Sequence, residues 1–273
     1  MTVVNCEKCI GCGLCVKDCI ARDIKIVDQK AVVRNVNCMN CGHCIAICPQ
    51  NAVTIEEYNM EEVKAYSKEH FDIESETLLN FIKYRRSVRQ FKAQDVESKI
   101  LEKIIEAGRF TQTGINMQDV SYAVIKSGLP ELRGMTLESL KNTGEYILAN
   151  LTPENKMYEN YARMWIKMYT SYQTNPEGSD FLFFNAPVVI VISAKSEVNG
   201  ALAASNMELM ANALGLGTFF SGFLAKAAHG NAQIRDFLQI KEGKEVVCAM
   251  VIGHPAVKYK RTVPRKQADI TWM

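Results

Sequence analysis

The chain has 273 residues, a formal net charge of +2 and 48% hydrophobic residues. This length exceeds one average domain and leaves room for two. A near-neutral charge provides no basic patch that would favour nucleic acid. No apolar run approaches the length needed to cross a bilayer, and no signal peptide precedes the first cysteines. We therefore expect a cytoplasmic protein.

Two cysteine runs with identical spacing open the chain. Each reads C-x2-C-x2-C-x3-C, and together they comprise Cys9, Cys12, Cys15, Cys19, Cys38, Cys41, Cys44 and Cys48. This is the ligand spacing of bacterial ferredoxins that hold two [4Fe–4S] clusters. Zinc ribbons use paired C-x2-C knuckles instead, and a disulfide framework suits a short secreted chain. The runs therefore predict an electron carrier.

The spacing also predicts which cysteines share a cluster. Three thiolates on one tight loop reach three irons, and the fourth sulfur leaves the loop to ligate the other cluster. The ligands of the first cluster are then Cys9, Cys12, Cys15 and Cys48. The ligands of the second are Cys38, Cys41, Cys44 and Cys19. Two irregularities fall in the first run. Ile20 stands where proline would follow the run, and Cys6 adds a spare thiol.

Alternating patterns predict the elements that follow. Short strands at Ile24–Val27 and Ala52–Ile55 form an internal repeat, so we expect a ferredoxin-type domain over 1–58, a charged linker over 59–76 and a larger domain over 77–273. In the larger domain, apolar periodicity predicts helices and strands in alternation. The predicted helices are 77–85, a helix capped by Asp95 that stops at Gly108, 131–148, 154–172 and 201–214. The predicted strands are 121–126, 188–194 and 245–253. Together they indicate an α+β or α/β domain.

Residues 84–91 read YRRSVRQF and follow a helical pattern. In an extended chain, Arg85, Ser87 and Arg89 project to one side, and Arg86 and Val88 project to the other. Two guanidiniums that flank a hydroxyl suit an anionic ligand such as a flavin phosphate. On these residues alone, a solvated basic strand is an equal alternative.

Five blocks in order resemble the FMN-binding nitroreductase family over about residues 77–273. Arg85-Arg86-Ser87-Val88-Arg89 is similar to its R-R-S-x-R signature, and Thr113 to Gln118 resembles its S-x-x-N-x-Q loop. The remaining blocks are 184–187 (aromatic-x-Ala-Pro), 213–223 (a helix-to-loop passage beside the flavin), and 253–255 with 264–266 (G-x-P and a terminal R-K). The resemblance implies an α+β sandwich with a central mixed sheet, and FMN bound at the interface of an intertwined homodimer.

The resemblance also implies roles for individual residues. Residues that match the family's flavin-binding positions are Arg85, Arg86, Ser87, Arg89, Asn116, Gln118, Ser221, Gly222, Arg265 and Lys266. Asn116 would hydrogen-bond the flavin ring, Ser221 and Gly222 would lie along it with a backbone N–H near N5, and Arg265 with Lys266 would reach the phosphate. No protein acid or base stands out as catalytic.

These patterns predict an iron–sulfur flavoenzyme that passes electrons from two [4Fe–4S] clusters to FMN and then to a small organic acceptor. Nitroaromatics, quinones, activated alkenes and aryl halides are compatible acceptors. Reduced ferredoxin or NAD(P)H could be the donor. Two alternatives are a relay that serves a protein partner without catalysis, and an NAD(P)H-dependent flavin reductase that uses the clusters as an outlet.

Overall fold

The computed structural model describes residues 1–178 and 180–273. The chain divides into two compact units. The first unit comprises 1–74 together with the short segment 113–117, and the second comprises 75–112 and 118–273. The return of 113–117 to the first unit is a feature that the sequence patterns do not indicate.

The first unit contains two antiparallel pairs of strands in its described residues. Strand β1 (Thr2–Val4) precedes helix α1 (Leu14–Asp18), β2 (Ile24–Val27), β3 (Lys30–Val33), α2 (His43–Ala46), β4 (Val53–Ile55) and α3 (Lys68–Phe71). Strand β1 pairs with β4 and β2 pairs with β3, both antiparallel. Both helices α1 and α2 begin inside a cysteine run, directly after a glycine in the left-handed conformation. This places the third cysteine of each run in the first turn of a helix.

The second unit contains a four-stranded antiparallel sheet and seven α-helices in its described residues. In chain order its elements are α4 (Ser75–Tyr84), α5 (Ser98–Arg109), β5 (Ser121–Ile125), α6 (Leu129–Ala149), α7 (Glu159–Thr174), β6 (Val188–Ala194), α8 (Glu197–Ala213), β7 (Gly217–Phe220), α9 (Gly222–Ala228), α10 (Ala232–Phe237) and β8 (Glu245–Gly253). The strand order is β5-β6-β8-β7. The predicted α+β class is confirmed. The expected mixed sheet is not found, because all pairings among the four described strands are antiparallel.

The two central strands are buried on both faces. On β6, Val189 and Val191 pack into one hydrophobic cluster, whereas Ile190 and Ile192 pack into the other. Side chains alternate across a strand, so each face of the sheet needs its own cover. Helices α6, α7, α9 and α10 contribute to the first cluster, and α5 and α8 contribute to the second. The result is a three-layer sandwich whose edges carry the candidate site.

Two local expectations differ from the structure. Helix α5 begins after Glu97, and the Asp95 carboxylate pairs with Lys126 Nζ at 2.7 Å instead of capping the helix. An ion pair therefore replaces the predicted cap. Strand β7 and helices α9 and α10 were not predicted, because these elements are short and lie within a stretch rich in Gly and Ala.

Candidate functional site

The two cysteine runs of the first unit surround two separate cavities. One cavity is lined by Cys9, Cys12, Cys15 and Cys48. The other is lined by Cys38, Cys41, Cys44 and Cys19. This is the grouping that the sequence spacing predicts. All eight thiols are free of disulfides in the structure.

Backbone N–H groups point at three of the cysteine sulfurs. The Ala31 N–H lies 3.3 Å from Cys9 Sγ, the Asp23 N–H lies 3.4 Å from Cys19 Sγ, and the Ala52 N–H lies 3.3 Å from Cys48 Sγ. Such donors stabilise thiolate charge and tune the potential of an iron–sulfur cluster. The two N–H donors from Ala31 and Gly11 hold the pKa of Cys9 below its ordinary value. The surroundings of these sulfurs therefore favour the anionic thiolate form that ligates an iron–sulfur cluster.

Burial raises the pKa of two other thiols of the same cavities. Burial, with smaller contributions from Cys41 and Cys38, raises the pKa of Cys44 to about 11. Burial likewise raises the pKa of Cys15. Iron must therefore displace protons when it binds. Among the described residues, no group of three His, Cys, Asp or Glu side chains is arranged around a single metal ion. In a cubane cluster each thiolate binds a different iron.

The left-handed glycines inside the first run serve different needs. Gly11 has φ +67°, and a Cβ there would meet the carbonyl oxygen of Gln29 in the β2–β3 turn. Gly13 has φ +74°, but a Cβ there would meet open space. Gly11 therefore allows close backbone packing as well as a turn. Cys6 is exposed and lines neither cavity, and the side chain of Ile20 is 81% exposed.

In the second unit, the Arg-rich segment after α4 attaches to the free edge of β7. Ser87 forms a parallel bridge to Thr218, and the Val88 N–H donates to the Thr218 carbonyl at 2.8 Å. Val88 is buried, and Gly217 has no side chain where a Cβ would lie 2.8 Å from Val88. The segment is therefore extended as predicted, with Ser87 and Arg89 exposed on the side opposite Val88.

Several polar atoms in this segment are buried without a hydrogen-bond partner. Arg85 Nη1 pairs with Glu208 Oε2 at 2.7 Å, which leaves Arg85 Nε unpaired within the described part of the chain. Arg86 Nη1 and Thr218 Oγ1 are also buried, with no hydrogen-bond partner among the residues that the structure describes. A buried donor without an acceptor costs about 1 to 3 kcal/mol. These atoms therefore fit a bound anion or a polar ligand such as FMN.

Aromatic rings support the other guanidiniums. The Arg86 guanidinium lies 5.8 Å from the ring centroid of Tyr259, and that of Arg89 lies 5.4 Å from the ring of Phe219. Tyr259 is fixed from two sides, because Tyr84 Oη donates to its carbonyl at 2.6 Å and its own hydroxyl lies 3.5 Å from the Ser87 carbonyl. The C-terminal stretch thereby returns to the Arg-rich segment. Arg265 and Lys266, farther along, are exposed in residues 258–273, which form no helix or strand.

The predicted ring contacts Ser221 and Gly222 behave differently. Ser221 is buried, its N–H donates to the Ala249 carbonyl at 2.7 Å, and its Oγ caps α9 by accepting from the Leu224 N–H. Gly222 is exposed, with open space where a side chain would stand. Because the Ser221 N–H is already used within the fold, Gly222 is the better of the two for a backbone donor to a ligand.

The two remaining predicted residues lie on either side of the unit division. Asn116 belongs to the first unit, where its amide nitrogen donates to the carbonyls of Met39 at 2.9 Å and Asn40 at 3.0 Å. Gln118 belongs to the second unit. Both residues, and Ile115, have positive φ values between 45° and 56°. Such values are uncommon outside glycine and mark a tightly specified loop.

Beside α9, aromatic rings of the second unit form a cluster around a lysine. The ring centroids of Trp165 and Phe223 are 5.7 Å apart, edge to face, and Tyr161 lies 6.2 Å from each. Lys226 Nζ lies 5.8 Å from the rings of both Tyr158 and Trp165. Trp165 on α7 is 2% exposed and packs in the core, while Tyr158 and Tyr161 are exposed.

Sequence reasoning missed Thr218 and Glu208. Glu208 could have been found from the sequence, because it lies between Ala204 and Ala211 on the apolar face of α8. A carboxylate on a buried helix face requires a cationic partner, and Arg85 is that partner. Thr218 had no signal, since its role depends on a bridge between distant segments.

Comparisons with known proteins agree with this geometry. The Nitroreductase family matches residues 82–254, and a 4Fe-4S dicluster domain matches residues 8–52. A 4-nitrobenzoate reductase from Pseudomonas putida is 24% identical over 209 residues, which cover 68% of this chain and 89% of the relative. An NADPH-dependent oxidoreductase from Staphylococcus haemolyticus (strain JCSC1435) is 24% identical over 186 residues, covering 67% of this chain. The match spans 66% of that relative's length.

A solved structure shows the same fold. The nitroreductase with bound FMN from Bacteroides fragilis NCTC 9343 superposes with a TM-score of 0.53 at 17% identity, and the match covers 71% of this chain and 98% of that one. No helix in the described ranges is long and apolar enough to span a membrane. The family match covers more than half of the chain. The chain therefore belongs to the nitroreductase family and carries an N-terminal 4Fe-4S dicluster domain.

Proposed function

We propose that this protein is an iron–sulfur flavoenzyme that takes up single electrons at two [4Fe–4S] clusters and uses FMN to reduce a small organic acceptor. The observation that carries the proposal is the presence in one chain of two four-cysteine cavities and a nitroreductase-family unit with unpaired buried guanidinium donors. The clusters would be held by the eight cysteines in the crossed grouping described above.

FMN, when bound, supplies the chemistry that converts a one-electron supply into a two-electron reduction. Arg85, Arg86, Ser87 and Arg89 would hold its phosphate, ribityl chain and pyrimidine end. The pairing with Glu208 holds the Arg85 guanidinium in place, and its buried Nε would be the donor left for the ligand among the described residues. Gly222 offers a backbone N–H at the start of α9. Asn116, Gln118, Ser221, Arg265 and Lys266 stay in the proposed set on the resemblance alone.

The acceptor class follows from the surroundings of α9. Phe223 immediately follows Gly222, and its ring contacts Tyr161 and Trp165. Flat, electron-poor acceptors such as nitroaromatics and quinones suit an aromatic surface. The name of the Pseudomonas relative is consistent with such an acceptor. Activated alkenes and aryl halides remain compatible.

The remaining parts of the proposal concern assembly and location. Members of this family are expected to bind FMN at a homodimer interface, so the functional unit proposed here is a homodimer. Oxygen-sensitive clusters suit the reducing cytoplasm. Sedimentation of the FMN-loaded protein under anaerobic conditions tests the dimer, and a monomer that retains FMN would contradict it.

Reconstitution under anaerobic conditions tests the function. The protein should contain FMN, iron and sulfide together, and Arg85→Gln should weaken FMN binding by about tenfold or more through loss of a charge-assisted contact. Arg109→Gln is the matched control, since Arg109 is an exposed arginine paired with Glu106 on α5. Iron and sulfide without FMN, or equal effects of the two substitutions, would contradict the proposal.

A second candidate is an NAD(P)H-dependent flavin reductase, which the name of the staphylococcal relative favours. In that case NADPH would reduce the bound flavin directly and bleach its absorbance, and electrons would leave the protein through the clusters. Stopped-flow mixing separates the two. Direct bleaching by NADPH faster than by reduced ferredoxin supports the second candidate. A third possibility is a non-catalytic relay, and rapid turnover of small acceptors without a protein partner would count against it.

A further inference from the structure

The internal repeat of the first unit places two residues in equivalent positions ahead of the two cysteine runs. Thr2 on β1 lies seven residues before Cys9, and Ala31 on β3 lies seven residues before Cys38. Both Thr2 and Ala31 are buried. The surroundings of the two cavities can therefore be compared residue by residue.

The two equivalent residues contact equivalent cysteine sulfurs in different ways. The Ala31 N–H lies 3.3 Å from Cys9 Sγ, so a backbone group is the donor at the first cavity. At the second cavity, the Thr2 hydroxyl oxygen lies 3.2 Å from Cys38 Sγ. Each of the two residues lines the cavity of the cysteine that it contacts. A side-chain hydroxyl therefore occupies the place that a backbone N–H takes in the other half.

Asn35 accounts for this difference, because its side chain pairs with the backbone of Thr2. Asn35 Oδ1 accepts from the Thr2 N–H at 3.0 Å, and Asn35 Nδ2 donates to the Thr2 carbonyl at 2.9 Å. The Thr2 N–H is thereby used before it can reach Cys38 Sγ. The equivalent residue of the first half is Cys6, whose thiol lacks the amide's paired donor and acceptor. The Ala31 N–H can therefore point at its sulfur.

A second backbone donor is the same at both cavities. The Asp23 N–H lies 3.4 Å from Cys19 Sγ, and the Ala52 N–H lies 3.3 Å from Cys48 Sγ. In each half this donor is four residues after its cysteine. The difference between the two cavities therefore lies at the first cysteine of each run.

The Thr2 hydroxyl must be the donor once iron is bound. An iron-bound thiolate carries no proton and can only accept a hydrogen bond. Asn40 Oδ1 lies 3.2 Å from the same hydroxyl oxygen. A flip of this amide exchanges its oxygen and its NH2 group, so that Asn40 donates to Thr2 and the hydroxyl proton is left for Cys38 Sγ. Hydrogen bonds to the sulfurs help to set a cluster's reduction potential, and a donor favours the reduced form because that form carries more negative charge.

We propose that Thr2 is a redox-tuning residue of the second cluster, and that its hydroxyl supplies the hydrogen bond that Asn35 takes away from the backbone. The hydroxyl stabilises the reduced second cluster, so that this cluster accepts an electron from the reduced first cluster. The exchange moves one electron and neither forms nor breaks a bond. Without the hydroxyl, the electron stays on the first cluster. This inference rests on the two-cluster part of the proposed function.

Thr2→Val tests the role, because it removes the hydroxyl and keeps a β-branched side chain of similar size on a strand. The reconstituted full-length protein is reduced anaerobically with a single electron equivalent. The ratio of reduced second cluster to reduced first cluster should fall about tenfold, the scale of one hydrogen bond to a charged group. For a one-electron couple this is a shift of about 59 mV in the difference between the two potentials.

Two further variants separate the hydroxyl from general damage. Thr2→Ser keeps the hydroxyl, and we expect it to keep the wild-type ratio. Thr54→Val is the matched control, because Thr54 lies on β4, which pairs with β1, and its side chain is exposed. We expect all three variants to keep the iron and sulfide contents of the wild type.

Electron paramagnetic resonance measures the ratio during a reductive titration. Cys12→Ser and Cys41→Ser, at two exposed cysteines, each alter the signal of the cluster that the cysteine ligates and so assign the two signals. An unchanged ratio in Thr2→Val, or an equal fall in Thr2→Ser, would overturn the proposal. Loss of iron from the second site in Thr2→Val would overturn it as well, since the hydroxyl would then hold the cluster instead of tuning it.

Failure of the proposed function gives a different result. A wild-type protein with about four irons per chain would contradict the two-cluster proposal itself. If both clusters are present and their ratio does not respond to Thr2→Val, the inference on Thr2 fails and the flavoenzyme proposal is unaffected. Because the signals are those of the clusters, the test on Thr2 gives its answer whether or not the protein binds FMN.

Discussion

The first unit buries few apolar side chains, whereas the second surrounds a sheet with apolar residues on both faces. In the first unit the core cluster comprises Cys9, Ile24, Ala31 and Ala52, and cysteines make up much of its boundary. In the second, strand β6 is buried along its full length. Small domains that cannot build a sufficient core need a metal or another cross-link. We therefore expect iron to take the place of hydrophobic burial in the first unit, while the second unit is stabilised by its own apolar core.

Removal of iron should produce the largest difference in stability between the two units. Chelation under reducing, anaerobic conditions should unfold the first unit, since its cysteine loops lose the centre that joins them. The second unit should keep its thermal transition and its FMN. Limited proteolysis with mass spectrometry locates the cuts, which should fall within residues 1–74. Equal resistance of the two units after chelation would contradict this account.

A pair of glycine substitutions tests whether close backbone packing is needed for iron binding in the first unit. Gly11→Ala would place a Cβ against the Gln29 backbone, while Gly13→Ala meets open space at a similar φ. We expect Gly13→Ala to retain iron at a cost of about 1 kcal/mol from left-handed strain. Gly11→Ala should lose the iron of the first cluster. Iron and sulfide per chain are the measurement, and equal contents in the two variants would show that the close approach to Gln29 is unimportant.

A core truncation makes the complementary test in the second unit. Ile190 is fully buried on β6, so Ile190→Ala should lower the free energy of unfolding by about 2 to 5 kcal/mol. Val198, on α8, is 65% exposed, and Val198→Ala should change stability by no more than about 0.5 kcal/mol. Denaturant titration followed by tryptophan fluorescence measures both. Loss of iron in Ile190→Ala alongside the stability change would mean that the units do not fold independently.

The smallest predicted effect concerns a buried carboxylate of the second unit. Burial acts to raise the pKa of Asp119, but the Asn199 amide and the N–H groups of Ser196 and Lys195 outweigh it and hold the pKa below its ordinary value. A lowered folded-state pKa adds stability above the unfolded-state pKa of about 3.9, and this stability is lost as pH falls through the folded-state pKa.

Asp119→Asn should therefore cost about 1 to 2 kcal/mol at neutral pH, because an amide cannot accept from all three donors equally well. The difference in unfolding free energy between wild type and variant should narrow as the pH falls below about 4. Unfolding titrations at several pH values measure it. If the difference in unfolding free energy between wild type and variant does not change with pH, ionised Asp119 is not the cause of that difference.

Much of this molecule could be predicted from local patterns. The cysteine spacing grouped the ligands of each cavity, and apolar periodicity located helices α5 to α8 and strands β5, β6 and β8, because each signal is contained in a short stretch of chain. The contacts that could not be predicted join distant residues. The bridge between Ser87 and Thr218, the pairing of Arg85 with Glu208 and the return of Asn116 to the cluster loop depend on tertiary packing. The Arg-rich motif could be recognised, but its buried, unpaired nitrogen atoms appear only in the fold.

The most direct measurement is an anaerobic reductive titration of reconstituted protein, with iron, sulfide and flavin quantified in the same sample. The account predicts about eight irons per chain in two clusters, bound FMN, and flavin reduction that follows cluster reduction when electrons are supplied by a one-electron donor. A protein that holds both clusters but binds no FMN, or whose flavin stays oxidised while the clusters are reduced, would contradict it.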